Sequence, residues 1–232
     1  MRQGPIGAES RNMTTEDAII AKLEPLLLPR RIARMRTVLA ARSDHVTFVY
    51  ERMTDPHNLS AALRSLDAFG WQEAHWIDPD PELGLSRLIT RGTDRWLTMN
   101  LHPDTATCFA ALRTRGYVIL ASDVVPGSPP LDTLDLRQRT AFVFGNEHAG
   151  VTRETLALAD GRFHISMHGF TESLNLSVAS AITAFYARHQ IRHFQVSEGD
   201  PSGYLLSPER AKTLYAEWLT QSVRNAPAVL DT

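Results

Sequence analysis

Short apolar runs alternate with stretches of helical period along most of this 232-residue chain, and this alternation limits what the chain can fold into. The runs are rich in β-branched and aromatic residues, as strands are. They lie at residues 46–50, 74–77, 96–101, 117–121, 141–144 and 163–167. Stretches of helical period lie between them at 59–69, 103–115, 152–159 and 176–189. Strands that alternate with helices predict an α/β fold with a mostly parallel sheet flanked by helices.

The composition excludes several classes of protein. The chain is 43% hydrophobic, and its 24 basic and 26 acidic residues give a formal net charge of −2, which excludes disorder along the whole chain. Cys108 is the only cysteine, so neither an intramolecular disulfide nor a cysteine-based zinc cluster is expected. The sequence has no run of about 18 apolar residues and no apolar signal-peptide segment, so we expect a cytoplasmic protein that does not enter a membrane.

One segment is strongly basic although the whole chain is not. Its helical period brings Ile32, Met35 and Leu39 to one side, and no acidic residue interrupts it. Its arginines are Arg30, Arg31, Arg34, Arg36 and Arg42. We therefore expect an N-terminal extension over 1–28, a main domain over 29–195 that begins with a basic helix at 29–43, and a C-terminal linker and helix over 196–232. Residues 83–94 fit neither a strand nor a helix pattern.

Common catalytic and metal-binding signatures are missing. The chain has no G-x-G-x-x-G, no G-x-x-x-x-G-K-[ST] and no G-x-S-x-G, so dinucleotide redox chemistry, ATP hydrolysis and a nucleophile elbow lose support. Two histidine pairs are spaced four residues apart, His164 with His168 and His189 with His193, and only the second is plausibly helical. With no cysteine or carboxylate as a third ligand, packed or solvated histidines are favoured, and no metal site is predicted.

Polar residues are concentrated in three turns at predicted strand ends, where open parallel sheets bind ligands. The stretches are PHNLSAALR at 56–64, FGNEHAG at 144–150 and MHGFTESLNLSVA at 167–179. Each alone fits an ordinary structural role. The first is a helix capped by Asn58 with a solvated Arg64, the second a tight turn, and the third a helix N-terminus that packs closely.

In order and spacing, the three stretches resemble the signature motifs of the SpoU class of RNA ribose 2′-O-methyltransferases, a branch of the SPOUT superfamily. The resemblance covers Arg30 to Trp218. It implies the α/β-knot fold, with a trefoil knot at the C-terminal side of the sheet, and a homodimer that binds S-adenosyl-L-methionine. The basic and terminal helices are most similar to those of members that methylate a guanosine in the tRNA D-loop, so tRNA is the expected substrate.

The resemblance also implies roles for individual residues. The cofactor pocket is expected to use mainly backbone groups of Ser122, Gly145, Ile165 and Leu174. The expected catalytic set is Asn58 and Arg64 facing the ribose, with Glu147, Ser173 and Asn175 holding the site together. Phosphate contacts are expected from the five arginines of the basic segment and from Arg188 and Arg192. Ser166 stands where many relatives have proline, and Glu172 where many have glutamine.

The implied reaction is attack of a ribose 2′-hydroxyl on a sulfonium methyl group, which leaves positioning and deprotonation to the protein. An arginine would act as a neutral base only at a cost of roughly 8 kcal/mol. We therefore expect Arg64 to stay charged and to stabilise the developing alkoxide. The same chemistry on another tRNA position or on ribosomal RNA is an alternative. A non-catalytic RNA-binding protein with this fold is a third reading.

Overall fold

A computed structural model describes residues 14–77 and 94–231 of the protein. The described residues divide into two compact units, one formed by 14–39 with 207–231 and the other by 40–77 with 94–206. The boundaries predicted after residues 28 and 195 stay predictions. The predicted ambiguous stretch at 83–94 lies outside the described residues except for its last position.

The larger unit is built on a parallel sheet. Its six described strands are β1 (Val46–Glu51), β2 (Glu73–Ile77), β3 (Thr98–His102), β4 (Val118–Ser122), β5 (Thr140–Phe144) and β6 (Gly161–Phe163). They lie in the order β3-β2-β1-β5-β4-β6, and every neighbouring pair is parallel. The helices of this unit are α3 (Pro56–Phe69), α4 (Thr105–Thr114), α5 (Arg153–Leu158) and α6 (Leu176–Ser197). The predicted α/β fold with a parallel sheet is confirmed, and the knot stays a prediction.

Helices cover both faces of the sheet, which explains why its central strands are apolar throughout. Phe48 and Phe142, paired in register on β1 and β5, point to the face where α3 packs against α6. Val49 and Val143, one position further on, point to the opposite face and join a second apolar cluster with α4. Side chains alternate between the faces of a strand, so each central strand supplies both clusters.

The sequence explains where the helices that border the site begin. Asp55 caps α3 by accepting the backbone N–H of His57 at 2.8 Å, and Pro56 follows at the first helical position. The prediction that Asn58 caps this helix is therefore wrong, because Asn58 lies within its first turn. Asn175 caps α6 by accepting the backbone N–H of Ser177 at 2.9 Å.

One predicted strand is largely wrong. Residues 163–167 form no strand beyond Phe163, because the chain leaves β4 there and pairs with another segment. The N–H of His164 donates to Pro129 O at 3.1 Å, and its carbonyl accepts from the N–H of Leu131 at 2.7 Å.

The smaller unit contains the basic helix. It consists of α1 (Thr15–Leu23), α2 (Pro29–Leu39), α7 (Pro208–Ser222) and α8 (Ala226–Leu230), with a capping box between Thr14 and Asp17 at the start of α1. Glu24 accepts hydrogen bonds from the Arg36 guanidinium at 2.8 Å and from the Tyr215 hydroxyl at 2.6 Å. Throughout the described parts of the chain, no helix is long and apolar enough to cross a bilayer.

Candidate active site

The carboxyl ends of β4, β5 and β6 border a cavity of about 560 Å³. Parallel strands place these ends at one edge of the sheet, so the turns that follow them meet there. The structure brings to this cavity eight of the nine residues predicted as catalytic or cofactor-binding. They are Asn58, Ser122, Gly145, Glu147, Ile165, Ser173, Leu174 and Asn175. Arg64, the ninth, is exposed on α3 and is not among the lining residues.

Side-chain hydrogen bonds join the three polar stretches to one another. The Asn58 amide donates to Glu147 Oε1 at 3.2 Å, and the Asn175 amide donates to Asn58 Oδ1 at 2.9 Å. Asn175 Oδ1 accepts from the backbone N–H and the hydroxyl of Ser177, which fixes the orientation of its amide. Thr54 adds a long 3.5 Å hydrogen bond to Glu147 Oε2. Three segments far apart in sequence therefore form one polar chain beside the cavity.

The loop after β5 folds back tightly on itself. Asn146 and Gly150 exchange two backbone hydrogen bonds of 3.1 and 2.8 Å, and the Asn146 side chain accepts from the N–H groups of His148 and Ala149. A Cβ on Gly145 would lie 2.1 Å from the carbonyl carbon of Gly150. Only glycine fits this position, because no rearrangement short of moving the backbone would relieve that contact.

Two residues that sequence reasoning missed tie this loop to β1. Glu51, the last residue of β1, is 2% exposed and accepts hydrogen bonds from Thr152 and Thr155 just beyond the loop. Asn146 donates its amide to the carbonyl of Arg52, whose φ of 51° is unusual for a residue with a side chain. A carboxylate directly after a run of apolar, β-branched and aromatic residues was the signal that could have identified Glu51.

A second set of contacts joins the residues that follow β4 to the end of β6. The Asp123 N–H donates to Phe163 O at 2.9 Å, and its carboxylate pairs with Arg162 at 2.9 Å. The Ser128 hydroxyl donates to Asp123 O at 3.0 Å and lies 2.9 Å from His164 Nδ1. His164 therefore packs against a serine at the edge of the cavity. His168 is exposed, and His189 and His193 are both exposed on α6.

The structure corrects two of the predicted phosphate contacts. Arg42 lies after the end of α2, is 1% exposed, pairs with Asp67 and donates to Trp71 O at 3.0 Å. Arg188 donates to Phe69 O at 2.6 Å and stacks 4.4 Å above the Trp71 ring, where burial lowers its pKa to about 10. Both guanidinium groups are used inside the protein, so neither fits a phosphate contact.

The other predicted phosphate contacts lie at the surface. Arg30, Arg31, Arg34 and Arg36 are exposed on α2, although Arg36 also forms the ion pair with Glu24. Arg192 is exposed near the end of α6. These five arginines keep the accessibility that binding to a polyanion requires.

The cavity fits an adenosine-containing cofactor by its size and by its walls. Its volume lies within the range of small-molecule sites, and apolar as well as polar residues of the turns after β4, β5 and β6 line it. The missing Cβ at Gly145 lets two backbone segments approach each other at its wall. Ser122, Gly145, Ile165 and Leu174, predicted to bind the cofactor, all line this cavity.

This fold and this site define a methyltransferase of the SPOUT class. Residues 45–185 match the family described as SpoU rRNA Methylase, and the chain belongs to that family. The chain is 35% identical over 189 residues to the tRNA (guanosine(18)-2′-O)-methyltransferase of Thermus thermophilus, covering 82% of this chain and 95% of the relative.

Two solved structures are also similar. The A. aeolicus TrmH/SpoU tRNA modifying enzyme has a TM-score of 0.72 and 27% identity, over 84% of this chain and 98% of that one. An rRNA methyltransferase from Sinorhizobium meliloti, solved with AdoMet bound, has a TM-score of 0.57 and 26% identity, over 66% of this chain and 60% of that one. The resemblance drawn from the three sequence stretches is thus confirmed.

Proposed function

We propose that this protein transfers a methyl group from S-adenosyl-L-methionine to the 2′-hydroxyl of a ribose in tRNA, at guanosine 18 of the D-loop. The observation that carries the proposal is the hydrogen-bonded chain from Asn175 through Asn58 to Glu147 beside the cavity. It joins all three signature motifs of the family in one site. The relative from Thermus thermophilus, which is named for this reaction, matches most of both chains.

The residues around the cavity would hold the cofactor and order the site. When bound, S-adenosyl-L-methionine supplies a methyl group on an electrophilic sulfonium. Backbone groups of Ser122, Gly145, Ile165 and Leu174 hold it. Asn58 and Glu147 orient one another, so their polar atoms are fixed before RNA arrives, and this saves reorganisation during the reaction.

Arg64 supplies the charge that the reaction needs on the RNA side. Its exposure on α3, the helix that also carries Asn58, leaves the guanidinium accessible to RNA. The charged group stabilises the developing alkoxide and contacts a phosphate, while the hydroxyl proton leaves to phosphate or water. Binding of the tRNA backbone falls to the exposed arginines of α2 and to Arg192. A tRNA substrate is consistent with the predicted cytoplasmic location.

The protein acts as a homodimer in this proposal. Val178, Ile182 and Phe185 are spaced along one side of α6 and are 45, 38 and 56% exposed. Phe185 also meets Phe69 of α3 at 5.7 Å between ring centroids, which extends the apolar surface. An apolar stripe of this kind is typical of a surface that another subunit covers. Sedimentation of wild type against Phe185→Glu tests it, since a monomeric wild type would contradict a dimer.

Methyl transfer from labelled S-adenosyl-L-methionine to unmodified tRNA transcripts tests the activity. One transcript keeps guanosine 18, one replaces it, and ribosomal RNA is the third substrate. Label that requires guanosine 18 supports the proposal. Label on ribosomal RNA instead would keep the chemistry and replace the substrate, which the Sinorhizobium meliloti relative makes worth testing. No label on any RNA, with no cofactor binding by calorimetry, would favour the non-catalytic reading.

A further inference from the structure

A separate cluster of nitrogen and sulfur ligands lies between the sheet and α4. His75 comes from β2, His102 is the last residue of β3, and Cys108 lies on α4. One ring nitrogen from each histidine and the Cys108 sulfur all lie within 4.8 Å of one another. None of the three lines the cavity of the candidate active site, so the methyl-transfer proposal does not use them.

The cluster is largely buried, and it contains a polar atom without a hydrogen-bond partner in the part of the chain that the structure describes. His75 is 2% exposed, Cys108 is fully buried, and His102 is partly exposed. His75 Nδ1 and His102 Nε2 are 3.0 Å apart, so a single proton can be shared between them. The other ring nitrogen of His75, Nε2, is buried and has no hydrogen-bond partner among the described residues. Buried polar atoms without a partner are uncommon in folded proteins and call for a specific explanation.

The donor set is one that zinc prefers. Two imidazoles and a thiolate are typical ligands of Zn²⁺, with Zn–N near 2.0–2.1 Å and Zn–S near 2.3 Å. Zinc binding requires neutral imidazoles and a deprotonated thiol, so the site would release a proton on loading.

The charges around the cluster also suit a cation. Asp104, which caps α4, adds a negative charge near His102 and Cys108. Arg115 is the opposing charge, but its guanidinium is paired with Glu73 at 2.6 Å. His102 is the partly exposed member of the cluster, so an ion would enter from its side and a water would supply the fourth ligand.

We propose that His75, His102 and Cys108 form a binding site for one divalent metal ion of the Zn²⁺ type. The three ligand atoms lie within 4.8 Å of one another, and binding of zinc would bring them to separations of about 3.3–3.6 Å. Binding replaces the thiol proton, which is released to buffer. The bound ion would tie α4 to β2 and β3. This site stands independently of the proposed methyl transfer.

Metal titration of the full-length, metal-stripped protein tests the site. Zn²⁺ is added in calorimetry, and Co²⁺ is used as a spectroscopic probe because a cobalt–thiolate bond has its own charge-transfer absorption. We expect one ion per chain, release of a proton, and slower alkylation of Cys108 when Zn²⁺ is present. Cys108→Ala should remove the charge-transfer absorption, and His102→Ala should weaken binding at least tenfold.

The exposed histidine pair on α6 provides a matched control. His189→Ala with His193→Ala should leave metal binding at the buried cluster unchanged. Binding that disappears in this double variant but persists in Cys108→Ala and His102→Ala would overturn the proposal, as would the absence of stoichiometric binding by wild type. Circular dichroism checks that the variants fold. If Cys108→Ala does not fold, Cys108→Ser and the alkylation rate of wild type with and without Zn²⁺ decide the question.

Discussion

The carboxylate of Glu51 accepts two hydrogen bonds from Thr152, one from its backbone N–H at 2.9 Å and one from its hydroxyl at 2.7 Å. A third, from the Thr155 hydroxyl at 2.7 Å, reaches the same carboxylate. These bonds fix the end of β1 to the start of α5. The tight loop that begins at Gly145 lies just before Thr152, so Glu51 positions a wall of the cavity without lining it.

Replacing Glu51 should therefore destabilise the protein and weaken cofactor binding. Glu51→Ala leaves the Thr152 N–H and two hydroxyls without their acceptor, at a cost of about 2–3 kcal/mol in the free energy of unfolding. Glu51→Gln should lose less, because its amide oxygen can accept from the N–H while the hydroxyls accept from its amide nitrogen. Urea denaturation measures both variants. If Glu51→Ala and Glu51→Gln lowered the free energy of unfolding equally, the role of Glu51 as a hydrogen-bond acceptor would be contradicted.

Gly145→Ala should damage the cavity more than other glycine substitutions do. The new Cβ would overlap the backbone of Gly150, so the loop must move. We expect S-adenosyl-L-methionine affinity, measured by calorimetry, to fall at least about tenfold. Gly169→Ala is the matched control, because a Cβ there meets nothing within 4 Å. Similar affinities for the two variants would show that the close approach at Gly145 is unimportant.

Replacing two arginines of the basic segment should have different effects, one on stability and the other on RNA binding. Arg42→Ala removes a buried guanidinium and should cost about 3 kcal/mol in the free energy of unfolding, the lower end for a buried pair because Asp67 keeps some contact with water. Arg34→Ala, on the exposed side of α2, should leave stability unchanged and lower tRNA affinity. Denaturation and filter binding distinguish them, and the reverse pattern would refute the assignment.

Arg64→Lys tests whether the guanidinium itself matters. Lysine keeps the positive charge but loses the planar, multiple donors of arginine. If Arg64 both stabilises the alkoxide and holds a phosphate, kcat should fall by about a hundredfold or more across the whole pH profile. Thermal unfolding should not change, since Arg64 is exposed. A lysine variant with activity near wild type would remove any special role for the guanidinium.

His45 should make stability depend on pH. Burial is the main reason that its pKa lies below the usual value, although Leu136 O accepts from its Nε2 at 2.9 Å. Below about pH 6.5 the unfolded chain takes up a proton that the folded protein does not, so stability falls as the pH decreases. The slope from this group is at most about 1.4 kcal/mol per pH unit.

Denaturation at several pH values, compared between wild type and His45→Gln, isolates the contribution of this histidine. The glutamine amide can still donate to Leu136 O but does not titrate in this range, so the decrease should become shallower. His189→Gln, which removes an exposed histidine, should leave the pH dependence unchanged. A glutamine variant with the same slope as wild type would contradict the assignment to His45.

The sequence predicted most of the sheet because periodicity is a local property. The runs around Phe48 and Phe142 are apolar at successive positions, as strands buried on both faces must be. The segment after Phe163 looked equally strand-like, yet its backbone pairs with Pro129 and Leu131. A local sequence pattern indicates that a segment is buried and extended, but it does not indicate which other segment of the chain pairs with it.

The sequence by itself determined the α/β class, the family and the residue types that gather at the cavity, because motif order and spacing are written along the chain. Only the tertiary structure decided that Arg42 and Arg188 are used internally, since an arginine in a basic stretch has the same sequence whether it faces solvent or Trp71. It also decided that Glu51 supports the loop and that His75, His102 and Cys108 meet. Contacts between residues far apart in sequence depend on packing, which no single stretch of sequence encodes.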